Sequence, residues 1–206
     1  MIVLPRAYPS IFGAPAIRAV DRRVFSLGYF MRCMDCGYCG DQCCDYGVDI
    51  DRANMERLAG LGPAFEAFAG VPQSEWFEPG LVEDAEFPSG AHGRTRAAGG
   101  KCVFARRGGR GCAIHAYCLE QGLDYHLYKP MVSALFPVTF EHGVLVPSPE
   151  AVDGTLRCGG IGPSLYDGVR SELAYYFGRE LVEVLDGLRS AAPAESRPAA
   201  AARARR

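Results

Sequence analysis

Cys33, Cys36, Cys39 and Cys43 are spaced C-x2-C-x2-C-x3-C, an interval at which four thiolates wrap one [4Fe-4S] cluster. The reason is reach. Two-residue gaps, eased by Gly37 and Gly40, let a tight loop turn successive sulfurs inward while backbone N–H groups stay free to bond cluster sulfide. Cys44 follows directly, and four more cysteines stand at Cys102, Cys112, Cys118 and Cys158.

Composition decides how these thiols are read. Of 206 residues, 49% are hydrophobic and 22% charged, with a formal net charge of −2, which predicts a soluble globular chain with no general bias toward nucleic acid or membranes. The first thirty residues carry Pro5, Pro9, Pro15, Arg6 and Arg18 and form no signal-peptide core. No window reaches the roughly twenty apolar residues of a membrane helix. A cytoplasmic location is therefore expected, and there clustered cysteines are ligands or redox groups more often than disulfides. The expected metal set is Cys33, Cys36, Cys39, Cys43, Cys44, Cys102, Cys112 and Cys158, with the first four as the cluster-binding group. Eight thiols suffice for two four-coordinate centres, though one cluster with a zinc or a bare reactive pair is also open. Cys118, inside the helix-like stretch AYCLEQGLDY, is left out as a small buried hydrophobe.

Other side chains offer weaker chemistry. His92, His115, His126 and His142 could complete a metal shell, but structural or surface roles are the commoner use of isolated histidines. Arg106 to Arg110 (RRGGR) reads as a solvated turn before it reads as a phosphate contact. Trp76, Phe77, Tyr125, Tyr128, Tyr175 and Tyr176 are read as core. The acids Glu75, Glu78, Glu83, Asp84 and Glu86 are read as surface groups. No G-x-G-x-x-G, P-loop or nucleophile elbow occurs, and no methyl-donor site is visible. Catalytic residues stay unassigned.

The elements that must position the thiols follow from pattern. Arg22 to Arg32 (RRVFSLGYFMR) predicts a strand running into the cysteine run. Asp51 caps a helix over RANMERLAGL with Met55, Leu58 and Leu61 on one face, and Pro63 to Gly70 predicts a second short helix. Val71 to Gly100 reads as a long irregular excursion. KCVF (from Lys101) and CAIH (from Cys112) read as hairpin arms that bring Cys102 toward Cys112, and Val138 to Val146 as another hairpin turning at Glu141, His142 and Gly143. Ser171 to Leu188 has the period of one amphipathic helix. The sum is a small, irregular, metal-stabilised α+β domain over residues 1–189, with short strands or hairpins and a C-terminal amphipathic helix. Residues 190–206 form an Ala/Pro/Arg tail expected to be disordered.

The paired cysteines with CCDYGVDID, then KCVF, CAIH and KPMVSALFP in that order, resemble the YkgJ-type cysteine-cluster family, described as zinc- or iron-chelating. The cysteine-rich part of flagellin lysine-N-methylases is similar. The resemblance spans Cys33 to Cys158. It implies that the family's clustered cysteines fall on Cys36, Cys39, Cys43 and Cys44, its middle pair on Cys102 and Cys112, and its late one on Cys158. Two departures stand out. Ser133 occupies the place where the family often has a cysteine, between Lys129-Pro130 and Phe136-Pro137, and Cys33 is additional. Unlike a ferredoxin run, this one is followed by Cys44 rather than proline and has no second copy. The leading expectation is an iron–sulfur protein, with a [4Fe-4S] cluster and a redox or enzymatic role, acting with a redox or protein partner. The alternatives are a zinc-stabilised interaction module and an enzyme related to protein-lysine methylases.

Overall fold

The computed structural model describes residues 1–30 and 40–191. Cys33, Cys36, Cys39 and nearly all of the C-terminal tail lie outside these. Within them the chain mixes helices and strands, as expected of an α+β protein. No helix among the described residues is long and apolar enough to cross a membrane.

Two strands not anticipated from the sequence come first, β1 (Ile2–Pro9) and β2 (Ala16–Val20). Their prolines disguise them. β1 is an edge strand, and its register on β2 breaks between Val3 and Tyr8, the interval that contains Pro5. An edge is where a residue without an N–H does least harm to a sheet. Leu4 and Tyr8 still turn inward.

The predicted strand over Arg22 to Arg32 is not formed over its described part. A 3-10 turn at Arg22–Phe25 is capped by the Asp21 carboxylate, and only Gly28–Tyr29 extends, as β3. After residue 40 come β4 (Asp49–Asp51), α1 (Arg52–Ala59) and α2 (Gly62–Ala69). The Asp51 side chain accepts from the N–H groups of Ala53 and Asn54 at 3.0 and 3.3 Å, so the cap read from sequence is formed.

The stretch from Val71 to Gly100 is more ordered than its prolines and glycines imply. It supplies β5 (Val82–Glu83), β6 (Ala91–Arg94) and β7 (Ala97–Ala98), and β6 lies between β4 and β5 in a three-stranded sheet. Glu86 accepts the N–H groups of His142 and Gly143 at 2.7 Å each, which gives this acid a structural task.

β7 pairs with β8 (Lys101–Cys102), and α3 (Ala113–Gln121) begins immediately after Cys112. CAIH is therefore the start of a helix, not a hairpin arm. A single antiparallel bridge, Ala105 to Cys112, is all that remains of the predicted pairing. α4 (Met131–Leu135) leads to the hairpin of β9 (Val138–Glu141) and β10 (Val144–Pro147). Its turn residues His142 and Gly143 have φ of 51° and 73°, the left-handed pair that a two-residue hairpin requires.

α5 (Pro149–Asp153) and β11 (Gly159–Ser164) precede two helices, α6 (Leu165–Phe177) and α7 (Arg179–Ala191). The single helix expected from Ser171 to Leu188 is thus divided at Gly178 (φ 82°). Its period survives the break because both helices bury one face, with Leu173, Phe177, Leu181 and Leu185 inside.

Two apolar clusters result. The first packs α6 and α7 on the sheet β1-β2-β10-β9 around Ile17, Val20, Leu145 and Leu165. The second is aromatic: Phe65 meets Trp76, Phe104 and Tyr117 at ring-centroid distances of 5.1, 5.9 and 5.2 Å. The Trp76 indole donates to the Val71 carbonyl at 2.9 Å.

Candidate metal centre

A cavity of about 380 Å³ brings together thiols from three separate elements, Cys43 and Cys44, Cys102, and Cys112. Each sits at the end of a short element. Cys43 and Cys44 close the 3-10 turn Gln42–Cys44, Cys102 ends β8, and Cys112 immediately precedes the first residue of α3. Element ends expose the cavity to side chains while leaving the aromatic core behind them intact.

Polar contacts fix this arrangement. The Lys101 ammonium donates to the Gly40 carbonyl at 2.7 Å and pairs with the Asp45 carboxylate, so the residue beside Cys102 brackets Cys43 and Cys44. Asp41 accepts from the Gly111 N–H at 3.2 Å and pairs with Arg110 at 3.4 Å. That binds the residue before Cys112 to the end of the run. Arg106 lies over the Phe68 ring at 5.9 Å, so two arginines of the RRGGR turn are engaged inside the molecule. Buried Thr95 holds the Val48 N–H on its hydroxyl at 2.8 Å, and the Cys102 thiol donates to the same hydroxyl at 3.5 Å.

Cys158 is placed differently. It is 7% exposed and packs in the sheet-and-helix core. Its carbonyl accepts the Phe30 N–H at 2.8 Å, on the near side of residues 31–39. On the far side, Gln42 donates to the Thr155 carbonyl at 3.0 Å and accepts the Arg157 N–H at 2.8 Å. Both described ends of the cysteine run are thus fastened to the segment that carries Cys158.

Cys118 is fully buried among the second core's rings, and burial pushes its thiol up to about 11. Among the described residues the six cysteines Cys43, Cys44, Cys102, Cys112, Cys118 and Cys158 form no disulfide. No group of three or more His, Cys, Asp or Glu among the described residues could hold one metal ion. Cys33, Cys36 and Cys39 fall outside that statement.

Burial raises the Cys112 thiol above its ordinary value, against the opposing pull of the Lys129 charge and of the His115 and Ile114 N–H groups at the start of α3. With burial prevailing, the bare thiol stays protonated. It is poorly suited to act alone as a nucleophile, but a cation held there would displace the proton and favour the thiolate.

Of the four histidines, His115 lines the cavity. Burial, then Lys129, then His126 lower its pKa to about 4, which leaves it neutral. His126 is held at both nitrogens, by Asp124 and Glu172 at 2.7 Å each. It stacks between Tyr125 and Tyr175 at 3.9 and 3.7 Å, and Tyr125 stacks in turn on His115 at 4.2 Å. His92 stacks on Phe87 at 4.3 Å, and His142 sits in the β9-β10 turn.

The cavity wall also includes Lys129, Ser133 and Glu172, none of which was a candidate by residue type. Lys129 and Ser133 belong to the KPMVSALFP block noted for its resemblance, and that block was the available signal. Compared with known proteins, the chain matches no family model, no curated protein and no solved structure.

Proposed function

We propose that this chain binds an iron–sulfur cluster in the thiol-lined cavity and uses it in redox or enzymatic chemistry in the cytoplasm, a reading supported by the C-x2-C-x2-C-x3-C spacing and by a resemblance to the YkgJ-type family that implies metal binding. The observation that carries the reading is the meeting of Cys43, Cys44, Cys102 and Cys112 around one cavity of about 380 Å³. A mononuclear zinc site draws all its thiolates to about 2.3 Å from one ion. A [4Fe-4S] body instead holds its thiolates on separate irons, so the sulfurs stand apart around it. Thiols spread over a cavity wall suit the larger body.

The donor set agrees in chemistry. Neutral His115 and the α3 N-terminal N–H groups at Cys112 suit a thiolate-rich, anionic centre, whose sulfurs accept hydrogen bonds. Cys33, Cys36 and Cys39 supply the remainder of the proposed set, and Cys158 stands beside the segment joined to both ends of their run. When bound, the cluster would supply one-electron transfer or a Lewis-acidic iron.

The test is metal and acid-labile sulfide analysis, with an absorption spectrum, on protein purified without oxygen. Iron with sulfide and a brown colour is the expected result. Cys102→Ser and Cys112→Ser should lose iron while Cys118→Ser retains it. Colourless protein with stoichiometric zinc would select the zinc-stabilised module, and protein free of any metal would overturn both.

A further inference from the structure

We propose that the same cavity carries a binding site for a small organic oxyanion, its carboxylate or phosphate head on Lys129 and Ser133 and its apolar body against the aromatic wall. The site goes beyond the metal reading and shares the cavity with whatever group the thiols hold.

Size is the first argument. About 380 Å³ falls within the roughly 300–1,000 Å³ of small-molecule pockets, which are mostly apolar with a few convergent polar groups. The walls have that character: Tyr29, Phe104, Ile114 and Phe136 provide apolar surface, and the polar groups besides the thiols are few.

The second argument is an ammonium without a carboxylate. Lys129 lines the cavity and is only half-exposed, yet among the described residues no acidic side chain pairs with it. The candidates are engaged elsewhere. Glu172, on the same wall, accepts the Tyr125 hydroxyl at 2.6 Å on one oxygen and meets His126 at 2.7 Å on the other. Asp41 and Asp45 pair with Arg110 and Lys101. A partly buried charge with no carboxylate on it among the described residues is costly, and an anionic ligand would relieve that cost.

The third argument is local geometry. The Lys129 N–H is anchored on the Tyr125 carbonyl at 2.8 Å, and the Ser133 and Ala134 N–H groups bond the Pro130 carbonyl at 2.9 and 3.0 Å. These bonds fix the backbone on both sides of Pro130, and Lys129 and Ser133 both line the cavity. A point charge beside a hydroxyl donor is suited to two oxygens of one head group.

Benzoate and phenyl phosphate serve as probes and neutral benzamide as control, titrated by calorimetry against full-length protein purified without oxygen, with metal content measured on each sample. We expect benzoate or phenyl phosphate to bind at least about tenfold more tightly than benzamide, the stronger of the two identifying the head group. Lys129→Gln should weaken that binding about 10- to 100-fold, in keeping with loss of one charge-assisted hydrogen bond. Ser133→Ala should weaken it less, and exposed Arg22→Gln not at all. Absence of binding by both anions at tens of millimolar, or binding unaffected by Lys129→Gln, overturns the inference. So does a Lys129→Gln protein that loses metal when the parent binds neither anion, since Lys129 is then the counter-charge of the centre. Protein that lacks metal but binds an anion through Lys129 upholds this site and overturns the iron–sulfur reading alone.

Discussion

The two apolar clusters differ in how they use regular structure. The sheet-and-helix cluster rests on a four-stranded sheet and two thirteen-residue helices, and its single cysteine, Cys158, is buried in it. The aromatic cluster rests on helices of eight and nine residues and on strands of four or fewer. Short elements have many ends, and it is the ends that carry Cys102 and Cys112. The region that presents the chemistry therefore has only short regular elements and relies on loop hydrogen bonds, interlocked rings and, in the proposed function, a metal. Exchange of amide hydrogens should reveal this. On the proposed function, chelation is expected to expose Val48 to Gly122 well before the β2-β10 pair and α6.

The largest effect expected from a point substitution falls on the aromatic cluster. Phe65 is fully buried against three other rings, and Phe65→Ala should cost about 3–5 kcal/mol in denaturant unfolding. If the second cluster leans on metal, that loss should be greater in the chelated protein. Leu181→Ala, in the other cluster, should cost about 2–5 kcal/mol equally with and without chelator.

The boundary between the clusters is tested by Gly168. A Cβ there would lie 2.3 Å from the Tyr29 ring, which cannot stay in place beside it. Gly168→Ala is expected to cost about 1–3 kcal/mol and, because Tyr29 and Gly168 both line the cavity, to reduce metal retention as well on the proposed function.

A smaller effect is set by pH. His115 has a folded pKa of about 4 against an ordinary value of 6.5, chiefly through burial. The unfolded chain therefore binds this proton more readily. Stability from the neutral ring is present above about pH 6.5 and is lost as pH falls toward 4. Solvent screening of the partly exposed ring limits it to about 1–2 kcal/mol. His115→Gln should flatten the unfolding free energy over that window. An unchanged slope would show that the ring is more hydrated than its position implies.

The smallest change has the opposite sign. Gly187, exposed on α7, has open space where a Cβ would stand. Gly187→Ala should stabilise the protein by about 0.5–1 kcal/mol, a useful contrast with Gly168 because the two substitutions differ only in what the new methyl meets.

Several elements were legible because they rest on local signals. The Asp51 cap, the helix ending before Gly70 and the hairpin around His142-Gly143 all follow from residues within one or two turns of each other. The misread elements depend on partners far along the chain. β1 and β2 were hidden by prolines that an edge position tolerates. The excursion after Val71 hid Trp76 and β6, which are ordered by contacts with Phe65 and with β4. CAIH has too little periodicity in four residues to separate a strand from the first turn of a helix. Arg22 to Arg32 is rich in strand-forming residues, yet its described part bends where the Asp21 carboxylate caps a turn.

By itself the sequence determined which residues could serve a metal and how closely spaced they are, because side-chain type and chain separation are covalent facts. It also determined the local caps and turns. Only the tertiary structure decided that Cys102 and Cys112 face one cavity with Cys43 and Cys44, that Cys158 joins the other core, and that Lys129, Ser133 and Glu172 share the thiols' wall. These groups come from segments up to 129 residues apart in number, from Cys43 to Glu172. Each apolar cluster is assembled from distant segments, and the 124–126 turn is tied to α6 by the bonds of Tyr125 and His126 to Glu172 and of Tyr175 to Asp124, an outcome of long-range contacts that no local spacing encodes.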